Sequence, residues 1–238
     1  MTVSDATGLL RHRDRIEGDL VIEVAFTDGS LSLGDAAPED ERDLSLGAFA
    51  GVSGTLPALM DQVHGADVVH VDLPVPWAKR PTCDALITSR PGLSLLARAA
   101  DCVPVLLADP EAGWVAAAHA GRQGLTAGVV PAAIAALRAK GARPRVAWIG
   151  PHVCGDCYEV PAEMRDEVAA IVPEARSTSS WGTPALDLGA GVGAQLAAAG
   201  ITDVRVVDAC TREDRSWPSH RRDGAAATRF AGAIWVAR

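Results

Sequence analysis

The sequence has no apolar run approaching the roughly 18 residues that a membrane-spanning helix needs. Its first 19 residues are polar and carry no secretory signal core. Basic residues are in deficit, 22 Lys and Arg against 30 Asp and Glu, for a net charge of −8. No surplus is available to meet phosphate charge, so nucleic acid and membrane partners are not expected. A local cationic pocket for a small anionic substrate is compatible with that balance. Internal repeats, low-complexity linkers and charge runs that would mark a boundary are also missing. Cysteine is scarce and odd in number, five in 238 residues. A chain this long needs no disulfide staple, so free or metal-bound thiols in a reducing, cytoplasmic setting are expected.

What is present suffices for a sizeable core: 48% of the residues are hydrophobic. Residues 1–19 read as a peripheral N-terminal segment and 20–238 as a single domain. Strand composition occurs at 20–26 and, after a glycine break, at 66–71. Residues 29–54 read as a long loop with at most one helical turn around 38–49. Four close strands are expected at 85–88, 93–99, 103–108 and 114–118, separated by Arg90-Pro-Gly92, Asp109-Pro110 and Gly113. A helix over 124–140 should stop at Gly141, with Pro131 in its first turn. Further helices are expected at 161–172 and 188–199, and strands at 145–149, 204–207 and 233–236. Strands outnumber helices and follow one another directly, so an α+β fold fits better than a doubly wound sheet.

The stretch from Arg98 to Gly121 organises the chain. It places Cys102 at the start of one strand and His119 at the end of the next. Together with His64, these residues have the chemistry of a three-ligand zinc site whose fourth position stays open. Small neighbours (Gly65, Ala120, Gly121) would let a ligand approach. The plain alternative is two hydrogen-bonded histidines and one buried thiol. Cys154-Gly-Asp-Cys157 lacks a second pair and reads as structural or incidental, and Cys83 and Cys210 as core residues. Ala185-Leu-Asp-Leu-Gly189-Ala-Gly191-Val-Gly193 imitates a dinucleotide-binding turn, and Asp208 imitates its ribose-binding acid. Too few βα units can follow it, so a glycine-lined helix start is expected. Arg122, with Arg221 and Arg222 of Ser219-His-Arg-Arg-Asp223, could meet an anionic group.

Gln62-Val-His64-Gly65, Cys83-Asp-Ala-Leu-Ile-Thr88, Ala100-Asp-Cys102-Val-Pro-Val, Ala118-His119-Ala-Gly121, Cys157-Tyr-Glu-Val160, Leu186-Asp-Leu188 and Ser219-His-Arg-Arg-Asp223 stand in the order seen in one family. In that joint order the chain resembles the laccase-domain or polyphenol-oxidase-like family, also called the peptidoglycan editing factor family. Its members are described as purine nucleoside phosphorylases with adenosine deaminase activity. The resemblance implies mixed β-sheets packed as a sandwich with flanking helices. It implies that His64, Cys102 and His119 are metal-binding catalytic residues, usually assigned to zinc. Expected partners are nucleoside and phosphate, with the chain a monomer or weak homodimer. The sequence departs from the family where His-Ala-Gly-Trp-Arg-Gly is expected and His119-Ala-Gly-Arg122-Gln123-Gly124 stands, and at Asp28, where a basic residue is common. These departures bear on the phosphate and ribose contacts. Arg122, Arg221 and Arg222 are the expected anion-binding residues, Asp101 a support for a ligand, and Glu159 and Asp223 the acid/base candidates. The rival readings are a copper-dependent polyphenol oxidase, for which six histidines are few, a cysteine hydrolase using Cys102 and His119, and a factor that edits or binds peptidoglycan precursors.

Overall fold

The computed structural model describes residues 8–237. The chain opens on a hairpin, β1 (Leu10–Ile16) and β2 (Ile22–Thr27), followed by α1 (Glu39–Ser53), β3 (Leu56–Ala58) and β4 (Val68–His70). Four strands come next: β5 (Ala85–Thr88), β6 (Leu93–Ala99), β7 (Val103–Asp109) and β8 (Trp114–Ala120). Then follow α2 (Arg122–Ala127), α3 (Val129–Ala139), β9 (Val146–Ile149), α4 (Ala162–Ile171), β10 (Arg176–Thr178) and β11 (Pro184–Leu186). The last elements are α5 (Leu188–Ala198), β12 (Asp203–Val206), α6 (His220–Asp223) and β13 (Phe230–Val236).

Two mixed sheets result, one ordered β1-β2-β13-β6-β3 and the other β12-β9-β7-β8-β5-β4; β10 and β11 form a separate antiparallel pair. The large sheets face each other across a core that includes Phe26, Leu95 and Ile234 from the first and Leu106, Ala117 and Trp148 from the second. The outer face of the six-stranded sheet carries Val105, Leu107 and Ala118, covered by Val130, Ile134 and Leu137 of α3 and Val192 and Leu196 of α5. Phe49 of α1 covers the outer face of the five-stranded sheet, against Leu96, Ala233 and Trp235. Successive side chains of β7 therefore enter different cores. Every residue of β6 and β7 is buried, which explains their largely apolar composition; the exceptions are Ser94 and Arg98 in β6 and Asp109 at the end of β7. The expected α+β sandwich with flanking helices is thus what forms. No helix among the described residues is long and apolar enough to cross a membrane.

Some local expectations differ. The stretch read as a loop holds α1, fifteen residues long. Its signal is weak because only Ser45 and Phe49 are buried along it. Glu39, Asp40 and Glu41 in its first turn and a left-handed Gly54 at its end favour it instead. The N-terminal segment is not all lead-in, since Leu10–Ile16 forms the edge strand paired with β2; residues 1–7 lie outside the described residues. The helix expected over 124–140 begins earlier and divides at Gly128, whose φ of 81° interrupts the helical path. Pro131 lies in the first turn of the second piece. Pro161 stands just before α4 rather than inside it. The glycine-rich decoy is a helix start, as expected: Asp187 caps α5 by accepting from Ala190 N at 2.8 Å.

Candidate functional site

The site forms where the chain passes from one large sheet to the other. β6 belongs to the five-stranded sheet and β7 to the six-stranded one. Ala100-Asp101-Cys102 makes the crossing, with Asp101 at φ 89°. A left-handed conformation in a residue with a Cβ costs about 1–3 kcal/mol and persists only if its surroundings hold it. Here Asp101 accepts Thr211 Oγ1 at 2.7 Å and the Arg221 amide at 2.6 Å through its carboxylate, and the Val153 amide at 3.1 Å through its carbonyl. Asp101 is thus a hub that joins the Cys102 corner to α6 and to two distant loops. The sequence reading has it steer a ligand, but its carboxylate bonds Thr211 and Arg221, and the acid that contacts a triad imidazole is Asp84.

His119, near the end of β8, comes to the same corner because β7 and β8 pair antiparallel, with Pro104 opposite His119. His64 arrives on the loop between β3 and β4, also left-handed at φ 62°. One buried carboxylate orders both histidines. Asp84 Oδ2 accepts the amides of Val63 and Gly65 at 3.2 and 2.6 Å. Its Oδ1 accepts the His64 amide at 3.0 Å and His119 Nδ1 at 2.9 Å. With Nδ1 taken by Asp84, the other nitrogen of His119, Nε2, faces Cys102, the arrangement that a metal-ligating imidazole needs once its proton is lost.

The nitrogen and sulfur donors of His64, Cys102 and His119 lie within 4.8 Å of one another. Cys102 Sγ is 3.8 Å from His64 Nε2, and the two imidazole rings meet edge to face at 4.8 Å. Burial works to raise the Cys102 thiol, but the charge of His119 and hydrogen bonds from both histidines outweigh it and bring the thiol down to about 6. For His119, burial lowers, while the Cys102 charge and Asp84 raise, to about 9. Burial also opposes ionisation of Asp84, yet His119 and the loop amides hold its carboxyl below the usual range. The fit to a metal is good. One soft and two borderline donors converge, one imidazole is oriented by a carboxylate, and a thiolate is already favoured.

Gly121 lets these groups meet. A Cβ there would lie 2.6 Å from His64 Cδ2 and 2.9 Å from Cys102 Sγ. Its φ of −78° suits any residue, so the demand for glycine is one of space.

The triad lies in a cleft of about 360 Å³, within the range of small-molecule sites. The walls include Gln62, Arg98, Tyr158, His220, Arg221 and Arg229. Gln62 brackets the Arg98 backbone with two bonds, Nε2 to its carbonyl at 2.8 Å and Oε1 from its amide at 2.9 Å, and so ties the His64 loop to β6. Arg221 lies over the Tyr158 ring, 4.4 Å from its centre.

The three arginines expected to meet an anion do not all reach the cleft. Arg221 lines the cleft, and Arg122 and Arg222 are not among its lining residues. Arg222 instead donates to the carbonyls of Thr211 and Trp217, at 2.7 and 2.8 Å, and pairs with Asp223. That engagement leaves Asp223 beside an arginine, while Glu159 accepts from Trp181 Nε1 at 2.8 Å; neither acid lines the cleft. Residues missed from sequence are Asp84, Arg98, Tyr158 and Arg229. For Asp84 a signal existed: an acid directly ahead of the apolar run Ala85-Leu-Ile-Thr88 must be satisfied inside. Cys83 is a core residue as expected, its thiol pushed up to about 12 by burial. Cys210 is not simply a core residue, because it meets Cys154 and Cys157.

Comparison with known proteins agrees with this architecture. A purine nucleoside phosphorylase of Streptomyces coelicolor is 50% identical over 216 residues, covering 87% of this chain and 88% of that protein. One from Mycobacterium tuberculosis is 43% identical over 214 residues, covering 87% and 85%. The crystal structure of a Neisseria meningitidis protein superimposes with a TM-score of 0.81 at 28% identity, covering 91% of this chain and 95% of that one. Residues 30–237 match the family described as multi-copper polyphenol oxidoreductase laccase, and the chain belongs to that family.

Proposed function

We propose that the protein is a zinc-dependent purine nucleoside phosphorylase that also deaminates adenosine. The observation that carries this reading is the convergence of His64, Cys102 and His119 at a cleft walled by arginines and one tyrosine. The names of its relatives support the phosphorylase assignment. His64, Cys102 and His119 would hold zinc, which would supply Lewis acidity at neutral pH.

The chain's own residues do the rest. Arg221 and Arg229, which line the cleft, hold inorganic phosphate near the ribose, while Arg98 is engaged by the Leu33 carbonyl and Asp35. Tyr158, with Arg221 over its ring, bounds the space for the purine. In phosphorolysis a phosphate oxygen bonds to C1′ as the C1′–N9 bond breaks, and the base takes up a proton as it leaves. Positive charge on the wall stabilises the phosphate that meets the developing oxocarbenium. In deamination water adds at purine C6 and ammonia departs. Asp84 keeps both histidines oriented throughout. Adenosine, inosine, guanosine and 5′-methylthioadenosine are the expected substrates.

The test is to incubate purified protein with each nucleoside, with and without phosphate, and to follow free base, ribose 1-phosphate and inosine. Phosphate-dependent release of base, abolished in Cys102→Ala, supports the reading. Base release at the same rate without phosphate, or in Cys102→Ala, contradicts it.

A second reading has an observation of its own. Cys102, His119 and Asp84 also form a thiolate–imidazole–carboxylate relay, the arrangement of a cysteine hydrolase. Activity that survives full metal removal but not alkylation of Cys102 would favour it. Copper is the less favoured metal. Among the described residues histidines gather in one potential ligand group, whereas multi-copper oxidation takes several.

A further inference from the structure

Three of the five cysteines meet away from the cleft triad. Cys154 and Cys157 begin and end a tight turn in which the amides of Cys157 and Tyr158 both donate to the Cys154 carbonyl, each at 3.0 Å. Cys210 opens a second turn, whose Glu213 and Asp214 amides donate to the Cys210 carbonyl at 3.2 and 2.9 Å. The turns are brought together by a parallel bridge between His152 and Cys210. The Cys154 amide donates to Cys210 Sγ at 3.4 Å. The three sulfurs and the Glu213 carboxylate lie within 4.8 Å of one another. A zinc tetrahedron with ~2.3 Å bonds to sulfur sets its ligands roughly 3.8 Å apart, so a small contraction would close it.

We propose that Cys154, Cys157, Cys210 and Glu213 form a second metal site, a structural one that takes a zinc-class divalent cation. Three sulfur donors select a soft or borderline metal over magnesium or calcium. Three thiolates and a carboxylate around a dication leave a net negative cluster, and the surroundings suit it. Arg212, which lines the same depression as Cys157, stacks over Trp181 at 4.7 Å. Arg215, Arg221 and Arg222 line the same surface depression.

The site has a mechanical consequence. Val153, beside Cys154, donates to the Asp101 carbonyl, and Thr211, beside Cys210, donates to the Asp101 carboxylate. A metal joining the two turns would clamp the left-handed Asp101 from both sides and so fix the Cys102 corner. This inference does not depend on which reaction the cleft performs.

The experiment uses the full chain carrying His64→Ala and Cys102→Ala, which removes two donors of the cleft triad. Protein purified without added metal is assayed for metal content and for alkylatable thiols after unfolding in chelator. About one zinc per chain and four alkylatable thiols are expected. Adding Cys210→Ser should abolish that equivalent and lower the unfolding temperature. If that variant does not fold, Glu213→Gln at the exposed edge of the site should weaken zinc retention against a chelator at least tenfold. Absence of metal with all four thiols free overturns the proposal. So does a mass two hydrogens lower that marks a disulfide, or zinc that stays bound as tightly after either substitution.

Discussion

Asp84→Asn changes one oxygen to an amide and leaves the shape intact. Each Asp84 oxygen accepts two hydrogen bonds, Oδ1 from His64 N and His119 Nδ1 and Oδ2 from Val63 N and Gly65 N. An asparagine can present its carbonyl to only one pair. If the carbonyl faces the loop, the new NH2 faces His119 and forces the proton onto Nε2, the atom a metal would need. If it faces His119, two loop amides meet an NH2 and lose their acceptor. An unsatisfied buried donor costs about 1–3 kcal/mol, so the second arrangement costs about 2–6 kcal/mol. The first is the cheaper one, leaving one donor opposed and His119 in the wrong tautomer. The expected result is a protein that folds, with stability lowered by about 1–3 kcal/mol and metal affinity lowered roughly 10–100-fold. Urea unfolding measures the first quantity, and competition with a chromophoric chelator the second. Unchanged metal affinity in a folded Asp84→Asn protein would refute the role assigned to this carboxylate.

Other substitutions and conditions probe the same account. Gly121→Ala pushes a methyl onto His64 and Cys102, so metal affinity and turnover should fall at least tenfold while secondary structure by circular dichroism stays the same; equal turnover would mean the close approach is unimportant. Arg221→Ala removes a charged donor from the cleft but keeps the amide that holds Asp101, so KM for phosphate should rise roughly tenfold to a hundredfold with a smaller change in kcat. In metal-free protein Cys102 ionises near 6 and His119 keeps its proton to about 9. Metal uptake at pH 7.5 should therefore expel about one proton, from His119, and affinity should rise about tenfold per pH unit until it levels near 9. Below about 6 the thiol is protonated as well, and the dependence steepens. Calorimetry in buffers of different ionisation enthalpy reads the proton count, and no release at pH 7.5 contradicts the assigned ionisation states.

The strongly buried parts of the fold were legible in the sequence. β5 to β8 declare themselves because both of their faces are covered, which leaves largely apolar runs between turn residues. α1 did not, because it lies on the surface with little apolar periodicity and is held by end effects. β1 is an edge strand of mostly charged residues, LRHRDRI, stabilised by pairing with β2 rather than by its own composition. For the site, His64, Cys102 and His119 could be suspected from residue type, and the family resemblance singled them out. Their meeting depends on a crossover between sheets and on two left-handed residues, which no local pattern shows. The arginines illustrate the limit. Three were candidates by charge alone, but only tertiary placement shows that Arg221, held by the Glu159 carbonyl, lines the cleft while Arg222 is tied to the carbonyls of Thr211 and Trp217 outside it. Cys210 is similar, separated in sequence from the cysteines it meets in space.

The most direct test of the central claim is a single titration. Metal is stripped from the purified chain, zinc is returned in measured steps, and phosphate-dependent release of adenine from adenosine is followed alongside zinc bound. The account predicts that activity is lost on stripping and returns in proportion to zinc binding that Cys102→Ala cannot support. Undiminished phosphorolysis in the stripped protein, or recovery with copper and not with zinc, would contradict it.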